Sequence, residues 1–407
     1  MKRVLIITHS FPPLLEARAI QIAKLVRHLP NTGWQPTVLT VDPDKTPIGQ
    51  DATLKRLLPN DLKIIHTPAF EPQWAISILA RLMPSLLYIP DKQIGWYPYA
   101  IKTAQRLIEQ ESFDLVFTNA KPFTCHLIGL VLRKKYPIPW AAYFSDPWVD
   151  NPYFAHINTW QVKRNRQQET AVLKIADGLI FNNIETVRLM LGAQGEQDPR
   201  VQILPHCYDP DLFAMSAPPS TSPIKRIVHT GNFYGIRSPL PLLRALKKAQ
   251  DRLPPHEVLL VGKIDPQHQK AIREEGLTDT LKLIDSVPYL ESLSYIQMAD
   301  LLVTIDAPTE EPSVFFPSKL VDYLGAAKPI LGITPPNSTT HRILSDHGHC
   351  VADVTNIDHI AQQLIVCLSQ SPSAHTAPET YNAIHVAHTL SDFFDHLCAT
   401  RKTPCTS

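Results

Sequence analysis

The sequence predicts an α/β protein made of two doubly wound, Rossmann-like domains. Three observations carry this expectation. Val4-Leu5-Ile6-Ile7 is an unbroken apolar run, the pattern of a parallel strand buried on both faces; a helical stretch and a second strand, Thr37 to Val41, follow it. Residues 217–223 (Ala-Pro-Pro-Ser-Thr-Ser-Pro) break the composition with stiff prolines and small polar side chains. A fresh strand-into-turn series then starts at Arg226-Ile227-Val228-His229-Thr230-Gly231. At 407 residues the chain is long enough for two domains, and 44% hydrophobic residues suffice to fill their cores. The expected division is residues 1–216, a linker at 217–223, residues 224–375 and a tail from 376 to 407.

In the first half, His9-Ser10-Phe11-Pro12-Pro13 leaves the first strand and Ala17 to Leu29 reads as a helix. A dehydrogenase would place GxGxxG directly after that strand; none is there, which argues strongly against that class. Trp74 to Tyr99 is the most amphipathic region. It reads either as a core helix with a packed loop or as a surface that touches lipid or a lipid-linked acceptor. Phe113 to Asn119 is a strand, Thr124 to Lys135 a helix, and Ile138 to Phe144 a strand that runs into Ser145-Asp146-Pro147-Trp148. Ligands of open α/β sheets bind beyond the carboxyl ends of strands. Asp146 is therefore a candidate to orient an acceptor hydroxyl or act as a base; an Asx turn before Pro147 is the alternative. Glu169 to Asp177 reads as a helix, and Gly178 to Asn182 and Val201 to Pro205 as strands.

The second half has strands at Arg226 to Thr230, Val258 to Val261, Leu281 to Ile284 and Ala299 to Ile305, and a closing helix from Ile384 to Thr400. Its organising stretch is Phe316 to Pro329. Pro317 suits a first helical turn, Leu320, Leu324 and Ala327 share one face, and Pro329 ends the helix before Ile330 to Ile333. Free amides near Lys319 and Leu320, the hydroxyl of Ser318 and the charge of Lys319 form an anion site at the positive end of the helix dipole. Asp322, one turn on, can accept bonds from sugar hydroxyls. A nucleoside diphosphate has that polarity, and a capped helix with surface charges is the plain alternative.

The segment Pro317 to Pro329 resembles the donor-binding segment of family 4 glycosyltransferases, and so do His9 to Pro13, Glu16-Ala17-Arg18 and Gly33 to Thr40. The resemblance implies a GT-B fold, two Rossmann-like domains facing a cleft, with the acceptor on the first and the donor on the second. It also implies a last helix that crosses back onto the first domain. It places Gly231 at the opening of the donor loop and Arg237, six residues on, at the donor phosphates. Asn232 stands where an Arg is common. Asp322 stands where the family holds the ribose with Glu, and Val314 where it has another Glu. Ser145 replaces a frequent His beside Asp146. Arg18 is assigned to a donor phosphate or the acceptor, with a solvated helix charge as its alternative. The implied reaction moves a sugar from a nucleotide diphosphate sugar to a glycan, lipid-linked or small-molecule acceptor with retained configuration. The partners are thus a nucleotide sugar and that acceptor, with peripheral membrane contact in view. No cofactor and no metal are expected, the donor serving as co-substrate. An epimerase on the same fold and a non-catalytic sugar-nucleotide-binding protein are the rivals.

The net charge of +1 gives no sign of a nucleic-acid partner. Six scattered cysteines without a CxxC pair suit a reducing cytosol. No secretory signal is visible, so the expected location is the cytoplasm or its membrane face. Asp42-Pro43-Asp44 and Asp209-Pro210-Asp211 satisfy a DxD pattern but read as turns and caps. His341, His347, His349 and Cys350 read as a polar loop rather than a zinc site.

Overall fold

The computed structural model describes residues 1–70, 89–151, 158–215, 224–278, 280–309, 313–369 and 375–400. The expected linker at 217–223 and residues 74–88 of the amphipathic region lie outside the described residues. The chain divides into two units, one of residues 1–205 with 383–407 and one of residues 206–382.

The first unit is built on a seven-stranded sheet in the order β3-β2-β1-β4-β5-β6-β7. Its strands are β1 (Lys2–Ile7), β2 (Trp34–Val41), β3 (Lys63–Thr67), β4 (Leu115–Ala120), β5 (Trp140–Phe144), β6 (Gly178–Phe181) and β7 (Val201–Ile203). Every pair is parallel. Leu5 faces Thr37 on one side and Val116 on the other, so the apolar run of β1 is central and buried on both faces. Strand order reverses direction between β1 and β4, which leaves a crevice position at their carboxyl ends.

The helix Ala383–Thr400 is an integral part of this unit. Phe394 lies edge-on to Trp34 and Phe117, with ring centroids 5.3 and 5.5 Å away. Asp395 accepts from the Trp34 indole and from Lys2, both at 2.9 Å. Gly178 has no space for a side chain, since a Cβ there would lie 2.6 Å from Leu397.

The helix expected at Glu169 begins ten residues earlier and spans Thr159–Ile175. Asn158 caps it by accepting from the Gln161 amide at 2.9 Å. Its inner face is polar: Asn165 accepts from the Trp148 indole and Glu169 from the Val149 amide, so both side chains tie down the loop after β5. That face shows no apolar periodicity, which is why only its last turns are legible in sequence.

The second unit carries six parallel strands in the order β10-β9-β8-β11-β12-β13. They are β8 (Lys225–Thr230), β9 (His256–Val261), β10 (Leu281–Ile284), β11 (Leu301–Ile305), β12 (Ile330–Ile333) and β13 (Cys350–Ala352). The same reversal falls here between β8 and β11. β11 starts at Leu301, two residues later than expected. Asp300 is spent before it, accepting from the Arg226 amide and from Lys225. Among the described residues no helix is long and apolar enough to cross a membrane.

Phe394→Ala should destabilise the first unit by about 3–5 kcal/mol, the cost of emptying a buried aromatic site. Urea unfolding checks this; a change under about 1 kcal/mol would mean that the terminal helix is a loose appendage.

Candidate functional site

In the second unit, Lys319 and His229 meet near the reversal between β8 and β11, within reach of the charges of Arg237 and Asp306. Gly231 follows β8 with φ at +123°, a conformation open to glycine at little cost, and its amide donates to Val261 O at 2.7 Å. A Cβ on Gly231 would lie 3.3 Å from Lys319 Nζ, so the bare backbone makes room for the lysine. Lys319 stands in the first turn of the helix Ser318–Gly325 and is half-buried. Its Nζ is 3.0 Å from His229 Nε2. His229 is fully buried, and its Nδ1 lies 2.8 Å from Val303 O. The carbonyl can only accept, so Nδ1 carries the proton and Nε2 is the acceptor for the lysine. Burial, then the adjacent Lys319 charge, holds the His229 ring well below its usual pKa and therefore neutral.

Lys319 is itself lowered to about 7, by burial first and by the Arg237 charge second, with Asp306 opposing. Arg237 lies over the Tyr234 ring at 5.9 Å, and its Nε is buried without a partner. Among the described residues no carboxylate forms an ion pair with Lys319 or Arg237. Two like charges thus act on one another with only the Asp306 charge opposing among the described residues, an arrangement that favours an incoming anion.

The helix start differs in detail from the sequence expectation. Pro317 is the residue before the helix, not in its first turn, and Ser318 opens the helix without a side-chain cap. The Leu320 amide was expected to be free but donates to Pro317 O at 3.0 Å, closing a tight first turn. The amides left to an anion are those of Ser318 and Lys319. Asp322 is 5% exposed and accepts from Tyr289 Oη at 3.1 Å. Asn232 has its Oδ1 occupied by the Lys263 amide at 2.8 Å, which leaves only its NH2 group to act.

In the first unit, Arg18 reaches Asn119 Oδ1 at 3.4 Å and lies over the Tyr143 ring at 5.3 Å. Asn119 in turn donates to Thr8 Oγ1 at 3.2 Å, bridging the carboxyl ends of β4 and β1. Asp146 accepts from Ser145 Oγ at 3.2 Å and pairs with Lys121 Nζ at 3.7 Å, while remaining partly open to solvent. Asp42 and Asp209 each accept from the amide two residues on, as turn caps. His349 stacks on His375, with ring centroids 4.3 Å apart.

Sequence reasoning missed His229, Tyr323, Asp306 and Lys121 as parts of these sites. Tyr323 Oη accepts from the Thr230 amide at 2.7 Å. Asp306, just past β11, accepts from Thr334 Oγ1 at 2.9 Å. The only available signal was position: His229 and Asp306 sit at the ends of two apolar strands that turn out to be neighbours.

Residues 19–212 match the family model described as Glycosyltransferase Family 4. Solved structures share the fold of the whole chain. Sucrose-phosphate synthase from Thermosynechococcus elongatus aligns with a TM-score of 0.61 at 13% identity, over 98% of this chain and 95% of that one. HepE from Anabaena in complex with UDP-glucose aligns with a TM-score of 0.61 at 15% identity, over 98% and 99%. A putative UDP-N-acetylglucosamine 2-epimerase from Listeria monocytogenes aligns with a TM-score of 0.57 at 12% identity, over 95% and 93%. No curated protein matches the chain in sequence.

Lys319→Met should stabilise the protein. Below pH 7 Lys319 is charged in the folded and unfolded states, and the folded state holds that charge at a disadvantage. From about pH 7 to 10.5 the unfolded chain keeps a proton that the folded state has lost, so this contribution to stability rises with pH. The methionine variant should gain about 1 kcal/mol at or below pH 7, typical of removing a functional strain, with the gain shrinking toward pH 10. Chemical denaturation at several pH values checks the sign.

Proposed function

We propose that the chain is a glycosyltransferase of the GT-B fold whose donor is a nucleoside diphosphate sugar bound by the second unit, a reading supported by the match of residues 19–212 to the Glycosyltransferase Family 4 model. The observation that carries this reading is Lys319, at the β8–β11 reversal against Gly231 and His229 and within reach of the Arg237 charge, without an ion-paired carboxylate among the described residues. As the bond from the anomeric carbon to the diphosphate breaks, negative charge grows on the departing phosphate. Lys319, Arg237 and the amides of Ser318 and Lys319 stabilise that charge more in the transition state than in the ground state. Gly231 lets the backbone approach the phosphates. Asp322 and the Tyr289 hydroxyl offer an acceptor and a donor to ribose hydroxyls, and the Asn232 NH2 group adds a further donor.

In the first unit, Asp146 orients or deprotonates the acceptor hydroxyl, and Arg18, held by Asn119, binds an anionic part of the acceptor. The acceptor class is a glycan or a lipid-linked sugar, and peripheral membrane contact is part of the proposal. Retention of anomeric configuration belongs to this proposal through the family likeness. A metal is not required, since the cations named above supply the positive charge. The fold likeness to the Listeria epimerase favours one second reading: a nucleotide-sugar epimerase, which would release free product without any acceptor.

UDP, ADP and GDP titrated calorimetrically against the protein should give binding with at least one of them. Affinity should fall as pH rises above about 7, by up to about tenfold per pH unit, because the free enzyme must take up the Lys319 proton on binding. Flat affinity between about pH 6 and 9 would remove Lys319 from the phosphate site. Asp146→Asn should lower kcat at least about tenfold while leaving donor affinity unchanged. Mass spectrometry of products from UDP-sugars with glycan and lipid-linked acceptors separates the readings. A glycosylated acceptor supports transfer, and an isomerised or free sugar formed without acceptor supports the epimerase.

A further inference from the structure

His229 has no assigned part in the reaction as described, yet its ring is fixed on three sides. Nδ1 donates to Val303 O across the β8–β11 pair, the ring stacks on Phe233 at 4.4 Å, and Nε2 meets Lys319 Nζ at 3.0 Å. The proton on Nδ1 leaves Nε2 with a lone pair only, so the ammonium is the donor. One helical turn on, Tyr323 Oη accepts from the amide of Thr230. The helix Ser318–Gly325 therefore grips the end of β8 at two successive residues, through side chains spaced four apart on one face.

We propose that His229 is the positioning residue for Lys319, fixing the ammonium toward the donor diphosphate through a neutral acceptor. The neutrality is the point. A carboxylate at this place would orient the lysine equally well but would cancel its charge and compete with phosphate. An apolar residue would preserve the charge and leave the long side chain free to move. A buried imidazole locked in one tautomer gives orientation without a counter-charge. This inference rests on the nucleoside diphosphate reading of the same site.

The groups facing Lys319 are His229 from β8, Arg237 from the loop after β8 and Asp306 from the end of β11. His229 stays neutral throughout the working range, so the pH response of binding belongs to Lys319. The bond from His229 favours the charged lysine, and its loss lets the proton leave at lower pH.

His229→Phe keeps the ring and its stacking on Phe233 but removes both nitrogens. In calorimetric titrations with UDP, ADP and GDP it should weaken binding of whichever nucleotide the wild type takes by about tenfold near pH 6.5. The pH at which affinity starts to fall should move down by about one unit. His229→Gln, whose side-chain carbonyl can accept from Lys319, should recover most of the loss. Wild-type affinity and an unmoved pH profile in His229→Phe, with Lys319→Met defective, would overturn the inference and leave the donor reading intact. Failure of the wild type to bind any of the three nucleotides would overturn both. Should His229→Phe not fold, nitrogen-15 histidine spectra of the wild type decide the matter. One histidine should hold the Nδ1–H tautomer from about pH 5.5 to 8.5, with an Nε2 resonance that moves in Lys319→Met. Absence of such a resonance would overturn the proposal.

Discussion

The second unit depends on a charge held without an ion-paired carboxylate among the described residues. Lys319 hydrogen-bonds to a neutral imidazole and feels the Arg237 charge, and its proton is weakened by both burial and repulsion. Such an arrangement persists only where the surroundings over-determine it. Here the sheet does so. Val303 fixes the tautomer of His229, the Tyr323 hydroxyl ties the helix to Thr230, and glycine at 231 keeps the space above the amine clear. The first two of these contacts come from β8, β11 and the helix that precedes β12, and the third from the turn directly after β8. The strained group is thus carried mainly by regular elements of the sheet and its helix.

The two units repeat one topology and use its reversal point differently. In the second unit the reversal between β8 and β11 collects cations. In the first, the reversal between β1 and β4 is closed by Thr8 and Asn119, and Arg18 is engaged by Asn119 and the Tyr143 ring. Its carboxylate, Asp146, lies one strand further along, after β5, already bonded to Ser145 and close to Lys121. The same sheet order therefore carries cations without an ion-paired carboxylate on one unit and a partly exposed carboxylate on the other. That difference suits the proposed reaction, with an anionic leaving group and a neutral nucleophile.

The strands were legible because both sheets are parallel and buried on two faces, which writes each central strand as a largely apolar run such as Val4 to Ile7 or Leu301 to Val303. The cation pair was legible through likeness of local segments, Gly231 to Arg237 and Pro317 to Pro329. Strand adjacency was not. Nothing in local sequence says that β8 neighbours β11 across some seventy residues, so neither His229 nor Asp306 could be joined to Lys319. The polar inner face of Thr159–Ile175 was hidden for a different reason. Its buried side chains satisfy the backbone amide of Val149 and the indole of Trp148, and such bonds leave no periodic trace.

Asp322 illustrates how a local substitution is absorbed. Aspartate reaches one methylene less than the glutamate expected from the family pattern, and it is almost fully buried. A short acid withdrawn from water needs a donor close by. Tyr289, at the start of the helix after β10, supplies it, and burial followed by the Asp322 charge raises that phenol well above its usual pKa. The phenol therefore stays protonated and remains a donor across any physiological pH. The shorter acid and the tyrosine act as one polar edge beside the first turn of the helix Ser318–Gly325, so Tyr289→Phe would remove one donor to a buried carboxylate as well as a hydroxyl. The loss at position 322 and the presence of tyrosine at 289 are two halves of one arrangement, and the site is explained only when both are counted.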